Sequence, residues 1–328
     1  MINANAKLSE KIFSADIDRK PTRDGFGTGV VEAGKQNQNV VVLCADLKES
    51  TRADAFEKAY PDRFIEMGVA EQNMATVAAG MAAAGKIPFI TSYAAFSPGR
   101  NYEQIRTTIA LNNVPVKVCG MHAGVSVGPD GATHQMLEDV GMMRMLPGMT
   151  VIVPADAVEA HKAVVAVSVN NTQTYLRFGR APAAIFTTSE TPFEVGKALM
   201  LWESSEPSVA IVATGPLSYQ SLLAAKNLEA KGIGSIVLHF ATIKPLDGDA
   251  LRAVAARVKG IVTVEEHQAA GGFGSAVAEF ISQNCPLPLK IMGVQDQFGQ
   301  SGTPDELLEH YGLGVINIQN AAEALAGL

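Results

Sequence analysis

The chain has 328 residues, 47% of them hydrophobic and 18% charged, which is enough apolar material for more than one buried core. Its net charge of -7 leaves no basic excess to neutralise phosphates, which argues against a general nucleic-acid-binding protein. No apolar run approaches the roughly 18 residues of a membrane span, and the N-terminal residues do not have the pattern of a signal peptide. We therefore expect a cytoplasmic protein that binds neither nucleic acid nor membrane.

The first part of the chain alternates between strand and helix patterns. Residues 1–20 are polar and mixed, and we expect an arm or a short helix that lies on another part of the molecule. Thr22 can cap the helix that follows. Strands are predicted at 40–45, 63–66, 87–93, 115–119, 150–153 and 174–178, and helices at 22–35, 71–84, 101–113, 137–145 and 157–169. The continuous apolar run Val40–Ala45 is typical of a parallel strand covered on both faces.

Residues 181–206 are rich in Pro, Thr, Ser and Glu and read as a boundary, after which the alternation resumes. Strands are predicted at 209–214, 235–240, 260–264 and 287–292, and helices at 218–231, 248–257 and 274–283. Such alternation predicts two α/β domains with mostly parallel sheets. We expect an arm at 1–20, a first domain at 21–188 and a second domain at 189–328.

The chain has three cysteines, Cys44, Cys119 and Cys285. A small, odd number of cysteines argues against a disulfide framework. Cys44 and Cys119 fall within or beside predicted apolar strands. We interpret these two as buried thiols in a reducing compartment.

The stretch Glu66-Met-Gly-Val-Ala-Glu-Gln-Asn-Met74 joins a predicted strand to a predicted helix. This helix begins at Glu71, is filled almost completely by Ala and Met, and has Gly85 as its C-cap. We therefore expect it to be buried on most sides. A carboxylate at a helix N-terminus is favoured by the helix dipole, so Glu71 is either a first-turn acid or a functional group.

Polar and aromatic side chains recur where the strands of the first domain end. In open α/β sheets, ligands bind at the carboxyl edge, so we expect these residues to share one rim. The set is Asp46, Ser50, Glu71, Tyr93, Phe96, Arg100, His122, Asp130, His134 and Arg177. Its acids, histidines, aromatics and arginines favour an anionic, hydroxylated small molecule.

Each residue also has an ordinary interpretation. The histidines could make loop hydrogen bonds, the aromatics could belong to the core, and Arg177 and Arg180 could be surface charges at a strand end. No Cys or His has the usual zinc spacing, so we assign no metal ligand. The sequence Gly271-Gly-Phe-Gly274 could seat an anion, but without a nucleotide fingerprint we interpret it as a tight turn.

Three motifs together resemble the C-terminal half of transketolase, from about Arg23 onward. They are Gly68-Val-Ala-Glu-Gln72, Gly128-Pro-Asp-Gly-Ala-Thr-His-Gln135 and Cys44-Ala-Asp-Leu47. The resemblance implies a pyrimidine-binding domain followed by a C-terminal domain, and thiamine diphosphate as the cofactor.

The resemblance also implies roles for residues around the cofactor. Glu71 matches the glutamate that hydrogen-bonds N1′ of the aminopyrimidine and promotes its imino tautomer. Phe96 and Tyr93 resemble the aromatics that pack on the pyrimidine, and Arg100 resembles an arginine beside it. The chemistry requires a carboxyl group that shares a proton in a dry site.

A second group of residues matches substrate positions of the family. His122 and His134 resemble histidines that contact the oxygens of the ketose donor and act in catalysis. Asp130 resembles an aspartate that recognises a substrate hydroxyl. Arg23, Ser50 and Arg177 match positions that hold the sugar phosphate. Guanidinium groups suit this task because they bind phosphate oxygens bidentately.

The family holds Mg²⁺ and the diphosphate with a Gly-Asp-Gly motif, which is absent from this sequence. We therefore expect one subunit of a split transketolase, with the Mg²⁺ ligands on a separate N-terminal partner subunit. The assembly would be a homodimer alone or a heterotetramer with the partner.

The expected reaction is transfer of a two-carbon ketol unit from a phosphorylated ketose to an aldose. One alternative is the condensation of pyruvate with an aldehyde phosphate, as in deoxyxylulose phosphate synthase, which has a similar glycine-rich loop. A regulatory subunit without catalytic residues is a third interpretation. Glu71, His122, Asp130 and His134 together argue against it.

Overall fold

Two α/β units, each built on a mostly parallel sheet, form the protein in the computed structural model, which describes residues 1–327. The strands are β1 (Arg19–Lys20), β2 (Val40–Cys44), β3 (Phe64–Glu66), β4 (Ile87–Tyr93), β5 (Lys117–Met121), β6 (Thr150–Ile152), β7 (Thr174–Arg177), β8 (Ala183–Ala184), β9 (Leu199–Glu203), β10 (Val209–Ala213), β11 (Ser235–His239), β12 (Thr242–Lys244), β13 (Gly260–Gln268) and β14 (Leu289–Val294).

The helices cover the faces of both sheets. They are α1 (Thr22–Gln36), α2 (Lys48–Thr51), α3 (Asp54–Ala59), α4 (Glu71–Ala83), α5 (Tyr102–Gln104), α6 (Asp139–Arg144), α7 (Ala157–Val167), α8 (Leu217–Ala230), α9 (Gly248–Ala255), α10 (Phe273–Asn284), α11 (Pro304–His310) and α12 (Val315–Ala326). Within residues 1–327, no helix combines the length and the apolar character needed to cross a membrane.

The first sheet has seven strands in the order β12-β6-β7-β5-β4-β2-β3, and all neighbours are parallel except β12 and β6. Every residue of β2 and of β5 is buried. Successive residues of β2 face two different cores, with Val41 and Leu43 in one and Val40 and Val42 in the other. This double cover confirms the prediction made from the apolar run.

The second sheet has the order β14-β13-β10-β11-β9, in which only β9 is antiparallel to its neighbour. Helices α8 and α12 pack on this sheet through a core that includes Leu222, Leu228 and Ile318. The two mostly parallel sheets confirm the predicted fold class.

Several elements differ from the sequence prediction. Strand β9 lies in the segment 181–206 that was interpreted as a boundary, and β12 was missed because it has only three residues. Thr242 of β12 pairs with Ile152 of β6, so a strand from the second unit completes the first sheet. Helices α11 and α12 were not predicted, and segment 101–113 is α5 followed by a π-helical turn at Ile105–Ala110.

The N-terminal arm lies on the second unit, as expected for a segment that packs on another part of the molecule. The backbone N–H of Asn3 donates to the carbonyl of Leu201 at 2.9 Å, and Ala6 is completely buried. Strand β1 then pairs with β8. The arm therefore connects the two units rather than extending freely.

The glycine turn before α10 is filled by a side chain of this chain. Both carboxylate oxygens of the buried Glu265 accept backbone N–H groups, from Phe273 at 2.6 Å and Gly274 at 2.7 Å. Burial raises the pKa of Glu265 to about 7, although these N–H groups favour its charged form. The helix N-terminus is thus already satisfied internally, which fits the interpretation as a turn.

A buried ion pair connects the two units. Arg177 Nε donates to Asp139 Oδ2 at 2.7 Å, and Tyr175 donates to the same oxygen at 2.6 Å. Arg177 Nη2 also donates to the carbonyl of Glu266 in the second unit at 2.9 Å. Burial alone would raise the pKa of Asp139, but the Arg177 guanidinium holds it below its ordinary value.

We predict that Arg177→Ala destabilises the protein by about 3–5 kcal/mol, because it leaves the Asp139 carboxylate buried and unpaired. Chemical denaturation followed by circular dichroism measures this change. Lys58→Ala is a matched control, because its ion pair with Asp54 is solvent-exposed, and it should leave the denaturation midpoint almost unchanged. A midpoint for Arg177→Ala equal to that of the control would contradict this role.

Candidate active site

The carboxyl ends of β2, β4 and β5 lie side by side in the first sheet and gather most of the predicted rim. Cys44 pairs with Thr91, and Tyr93 pairs with Met121, so the residues that follow these strands emerge together. Contacts join most of the predicted side chains into one cluster. The members are Arg23, Ser50, Glu71, Tyr93, Phe96, Arg100, His122 and His134.

Glu71 is the first residue of α4, and only 2% of its surface is exposed. Its Oε2 accepts a hydrogen bond from Arg100 Nη1 at 2.9 Å, and its backbone carbonyl accepts one from Asn101 Nδ2 at 3.0 Å. The N-terminal position suits a carboxylate because unpaired N–H groups point toward it. The site therefore contains a buried carboxylate with one cationic partner.

The expectation that α4 is buried on most sides is wrong. Met74, Ala75 and Ala78 face the core, whereas Gln72 and Asn73 are exposed, as is Gly80 one turn further on. Val69, two residues before the helix, is 71% exposed. The helix thus has one core face and one exposed face, which carries Gln72, Asn73, Gly80 and Ala83.

An aromatic wall stands beside Glu71. Tyr93 and Phe96 stack with ring centroids 5.8 Å apart, and His134 meets Phe96 edge-on at 5.5 Å. His122 stacks on Tyr93 at 4.0 Å. Tyr93, Phe96 and His134 are only partly buried, so the wall has an open side that a flat ring could cover.

His122 is held as a neutral ring with a defined tautomer. Its Nε2 lies 2.7 Å from Arg23 Nη1, and because a guanidinium can only donate, Nε2 accepts and the proton resides on Nδ1. Burial, reinforced by the charges of Arg23 and Arg180, lowers the pKa of His122 to about 3. The buried Nδ1 has no partner among residues 1–327. It is therefore a free hydrogen-bond donor.

The backbone at His122 supports the view that this position is specialised. Its φ of 54° lies in the left-handed region, which residues other than glycine adopt rarely. Strain of this kind is tolerated where the surroundings fix the residue, and it clusters at functional sites. Here the stacking on Tyr93 and the hydrogen bond from Arg23 fix the ring.

Arg23 enters the cluster from the first turn of α1. Its Nη1 donates to the carbonyl of Ser50 at 2.8 Å, while Ser50 Oγ lies 2.7 Å from the hydroxyl of Tyr93. The predicted capping role of Thr22 is wrong, because its hydroxyl accepts the N–H of Gly179 at 2.7 Å instead. This contact connects α1 to the chain that follows β7.

Arg177 does not join the cluster, which corrects its assignment to the phosphate group. Its side chain is 6% exposed, and its hydrogen bonds go to Asp139 and to the carbonyls of Met136 and Glu266. A guanidinium committed to a buried carboxylate is not available to a ligand. The strand end was identified correctly, but the side chain of Arg177 faces the junction between the units.

Arg180, three residues later, takes the position at the rim. Its Nη1 donates to Asp130 Oδ1 at 3.0 Å and to the carbonyl of Val127 at 3.1 Å. Burial lowers the pKa of both Arg23 and His122, and the charge of Arg180 contributes in the same direction. Two arginines lie near the end of β7, and either could reach a ligand at the rim. The sequence prediction chose Arg177, which is the buried one.

The glycine-rich loop that carries Asp130 and His134 is supported by the second unit. Gln135 is 4% exposed, and its Nε2 donates to the carbonyls of Val125, Gly128 and Gln300 at 2.9–3.1 Å. The quoted motif contained Gln135, but its pattern did not reveal this role. A side chain amide thus connects the loop to the segment before α11.

Glu66 is a second residue whose contribution the sequence did not reveal. Its Oε1 accepts the N–H groups of Asp46 at 2.8 Å and Gly68 at 2.9 Å. The carboxylate therefore fixes the loops after β2 and β3 to each other. Glu71 follows the second of these loops directly.

Both halves of the chain match family models of known proteins. Residues 18–183 match the family model of the transketolase pyrimidine-binding domain, and residues 196–318 match that of the transketolase C-terminal domain. These matches confirm the resemblance inferred from the motifs.

Individual relatives agree with the family models. A protein of Methanocaldococcus jannaschii named putative transketolase C-terminal section is 41% identical, over 90% of this chain and 92% of the relative. The 6-deoxy-6-sulfo-D-fructose transketolase subunit SqwH of Clostridium sp. strain MSTE9 is 38% identical, over 94% and 96%. A solved structure described as a split gene transketolase, inactive beta4 tetramer, matches with a TM-score of 0.87 and 42% identity, over 94% and 99%. The chain belongs to the transketolase family, a family of transferases, and carries its pyrimidine-binding and C-terminal domains.

Proposed function

We propose that this chain supplies the pyrimidine-binding half of a site that transfers a two-carbon ketol unit from a ketose to an aldose. The observation that carries the proposal is the buried Glu71 carboxylate beside a half-open aromatic wall. The transketolase family depends on thiamine diphosphate, and this arrangement offers a hydrogen-bonding carboxylate and a flat apolar surface to an aminopyrimidine. Tyr93 and Phe96 complete the proposed cofactor pocket, and Arg100 lies beside Glu71 at its edge.

Each residue of the pocket has a separate proposed role. When bound, thiamine diphosphate supplies the carbon nucleophile that attacks the ketose carbonyl. Glu71 holds a proton at its carboxyl group, shared with the pyrimidine ring nitrogen, and burial keeps water away from that contact. Phe96 and Tyr93 orient the ring by packing on its face. His122 and His134 are proposed to bind the oxygens of the ketose and to act in catalysis.

The site needs a partner subunit in this proposal. The pocket accounts for the pyrimidine, whereas Mg²⁺ and the diphosphate are proposed to bind an N-terminal subunit. The Clostridium relative is named a subunit, and the solved relative is titled a split gene transketolase in an inactive β4 form. These names support a partner subunit and a tetramer. We propose that the tetramer contains two copies of each subunit.

The uncovered surface around Glu71 supports the same conclusion. Val69 is 71% exposed, and Tyr93, Phe96 and His134 of the aromatic wall are only partly buried. Exposed apolar surface next to a functional group is typical of an association site. The partner subunit would cover this face and close the cofactor pocket.

The free, buried thiols of Cys44 and Cys119 are typical of the reducing cytoplasm, where we propose that the enzyme works.

We propose a ketose with a terminal phosphate as the substrate. Arg23, bonded to the Ser50 carbonyl, and Arg180 carry positive charges that repel each other, and a bound anion would relieve this repulsion. Asp130, already bonded to Arg180, would accept a substrate hydroxyl. Condensation of pyruvate with an aldehyde phosphate is not favoured, because the relatives described above carry transketolase names.

We predict that Glu71→Gln lowers kcat of the reconstituted enzyme by about 10²–10⁴-fold, because an amide cannot share the proton. Steady-state kinetics with saturating cofactor measures the loss, and circular dichroism checks that the fold survives. Glu103→Gln is the matched control, since this carboxylate lies on α5 and is not part of the cluster. Retention of more than about half of the wild-type kcat by Glu71→Gln would show that the assignment is mistaken.

We predict that Arg180→Gln lowers kcat/KM for a phosphorylated ketose by about 10–100-fold, as expected for a lost charge-assisted hydrogen bond. An unphosphorylated ketose should lose less than about threefold, because the contact is remote from the reacting carbon. Arg106→Gln, an exposed arginine after α5, serves as the control. Equal losses on the two ketoses would contradict the phosphate site.

We predict that the ring of His122 stays neutral as the pH falls from about 8 to about 5, since its folded pKa is about 3. The unfolded ring titrates near its ordinary pKa of about 6.5, so the unfolded state binds more protons as the pH falls from that value toward 3. The free energy of unfolding therefore decreases over this range. Nitrogen-15 NMR of the imidazole, assigned with His122→Asn, measures both protonation and tautomer. A titration midpoint above about 5, or a proton on Nε2, would contradict the proposed donor role of Nδ1.

A further inference from the structure

We infer that Arg100 competes with the aminopyrimidine for the Glu71 pocket and must move out before the aminopyrimidine can bind. The inference rests on the proposed function of the Glu71 pocket and adds an internal competitor to it. Arg100 makes the two contacts that the proposal assigns to the pyrimidine. Its Nη1 donates to Glu71 Oε2 at 2.9 Å, and its guanidinium carbon lies 4.6 Å from the ring centroid of Phe96.

The chemistry of a guanidinium explains why it can take this place. The group is planar, carries N–H donors along its edge, and stacks on aromatic faces. An aminopyrimidine is also planar and, with a proton on its ring nitrogen, presents N–H to a carboxylate. Arg100 therefore satisfies the buried Glu71 carboxylate and packs on the Phe96 ring, the two groups that the proposal assigns to the aminopyrimidine.

The geometry allows the side chain to leave while the backbone stays. Arg100 is 49% exposed, so its guanidinium has a path to water. The next residue, Asn101, is completely buried and donates from Nδ2 to Glu71 O at 3.0 Å and to Ser97 Oγ at 3.1 Å. Displacement thus requires rotation of one side chain about a fixed point of the chain.

Removal of this competitor should tighten cofactor binding. If the pocket is open for only a fraction of the time, the apparent dissociation constant rises by the inverse of that fraction. For a pocket open about one fifth of the time, Arg100→Ala should lower the Kd for thiamine diphosphate by about fivefold. An arginine that contacts the bound cofactor would give the opposite sign.

The test is a calorimetric titration of thiamine diphosphate with Mg²⁺ into the complex of this chain and the N-terminal subunit. Arg100→Ala and Arg100→Gln should bind the cofactor about fivefold more tightly than wild type. Arg106→Ala, which removes the same charge from an exposed position further along the chain, should bind it like wild type. Equal or weaker binding by both Arg100 variants, with normal binding by wild type, would overturn the inference and leave the proposed function intact.

A second measurement needs no cofactor and uses the isolated chain. Nitrogen-15 NMR of the arginine side chains should show the Arg100 signal in a restricted environment that Glu71→Gln shifts toward that of a solvent-exposed arginine. An Arg100 signal that Glu71→Gln leaves unchanged would overturn the inference. Failure of the wild-type complex and all variants to bind the cofactor would instead contradict the proposed function itself.

Discussion

The parallel register of β2, β4 and β5 is the constraint on which the candidate site depends. Because these strands run in one direction and are neighbours, the chain leaves each of them at the same edge of the sheet. Ser50, Tyr93 and His122 follow from separate parts of the sequence and meet there. Glu71 reaches the same edge because β3 pairs with β2 and leads directly into α4. A strand slipped by one residue would turn each of these positions to the other face.

The second unit supports the loop that carries two of the site residues. Gln135 bonds the glycine-rich loop to the carbonyl of Gln300, and the buried Glu266 accepts the N–H of Ser126 at 2.5 Å in the same loop. Arg177, paired with Asp139, also bonds the carbonyl of Glu266 and so fixes the units to each other. The loop with Asp130 and His134 is thus held from both sides, which suits groups that must keep a defined geometry.

Much of this arrangement could be predicted because strong local patterns dictate it. Apolar runs such as Val40–Ala45 identified the buried strands, and polar residues at their ends identified the rim. The failures occur where a polar side chain is buried by distant partners. Arg177 has the same sequence appearance as Arg180, and only the carboxylate of Asp139, 38 positions away, decides which one is buried. Likewise, the three residues of β12 are too few to show a strand pattern. The position of β12 is determined by its pairing with β6 in the sheet of the other unit.

The central claim is that this chain holds half of a cofactor site that a second polypeptide completes. The most direct test adds increasing amounts of this chain to a fixed amount of the N-terminal subunit with thiamine diphosphate and Mg²⁺, and measures two-carbon transfer between a ketose phosphate and an aldose. The account predicts no transfer by either subunit alone and a rate that rises until the two chains are equimolar. Transfer by this chain in the absence of a second polypeptide would contradict it.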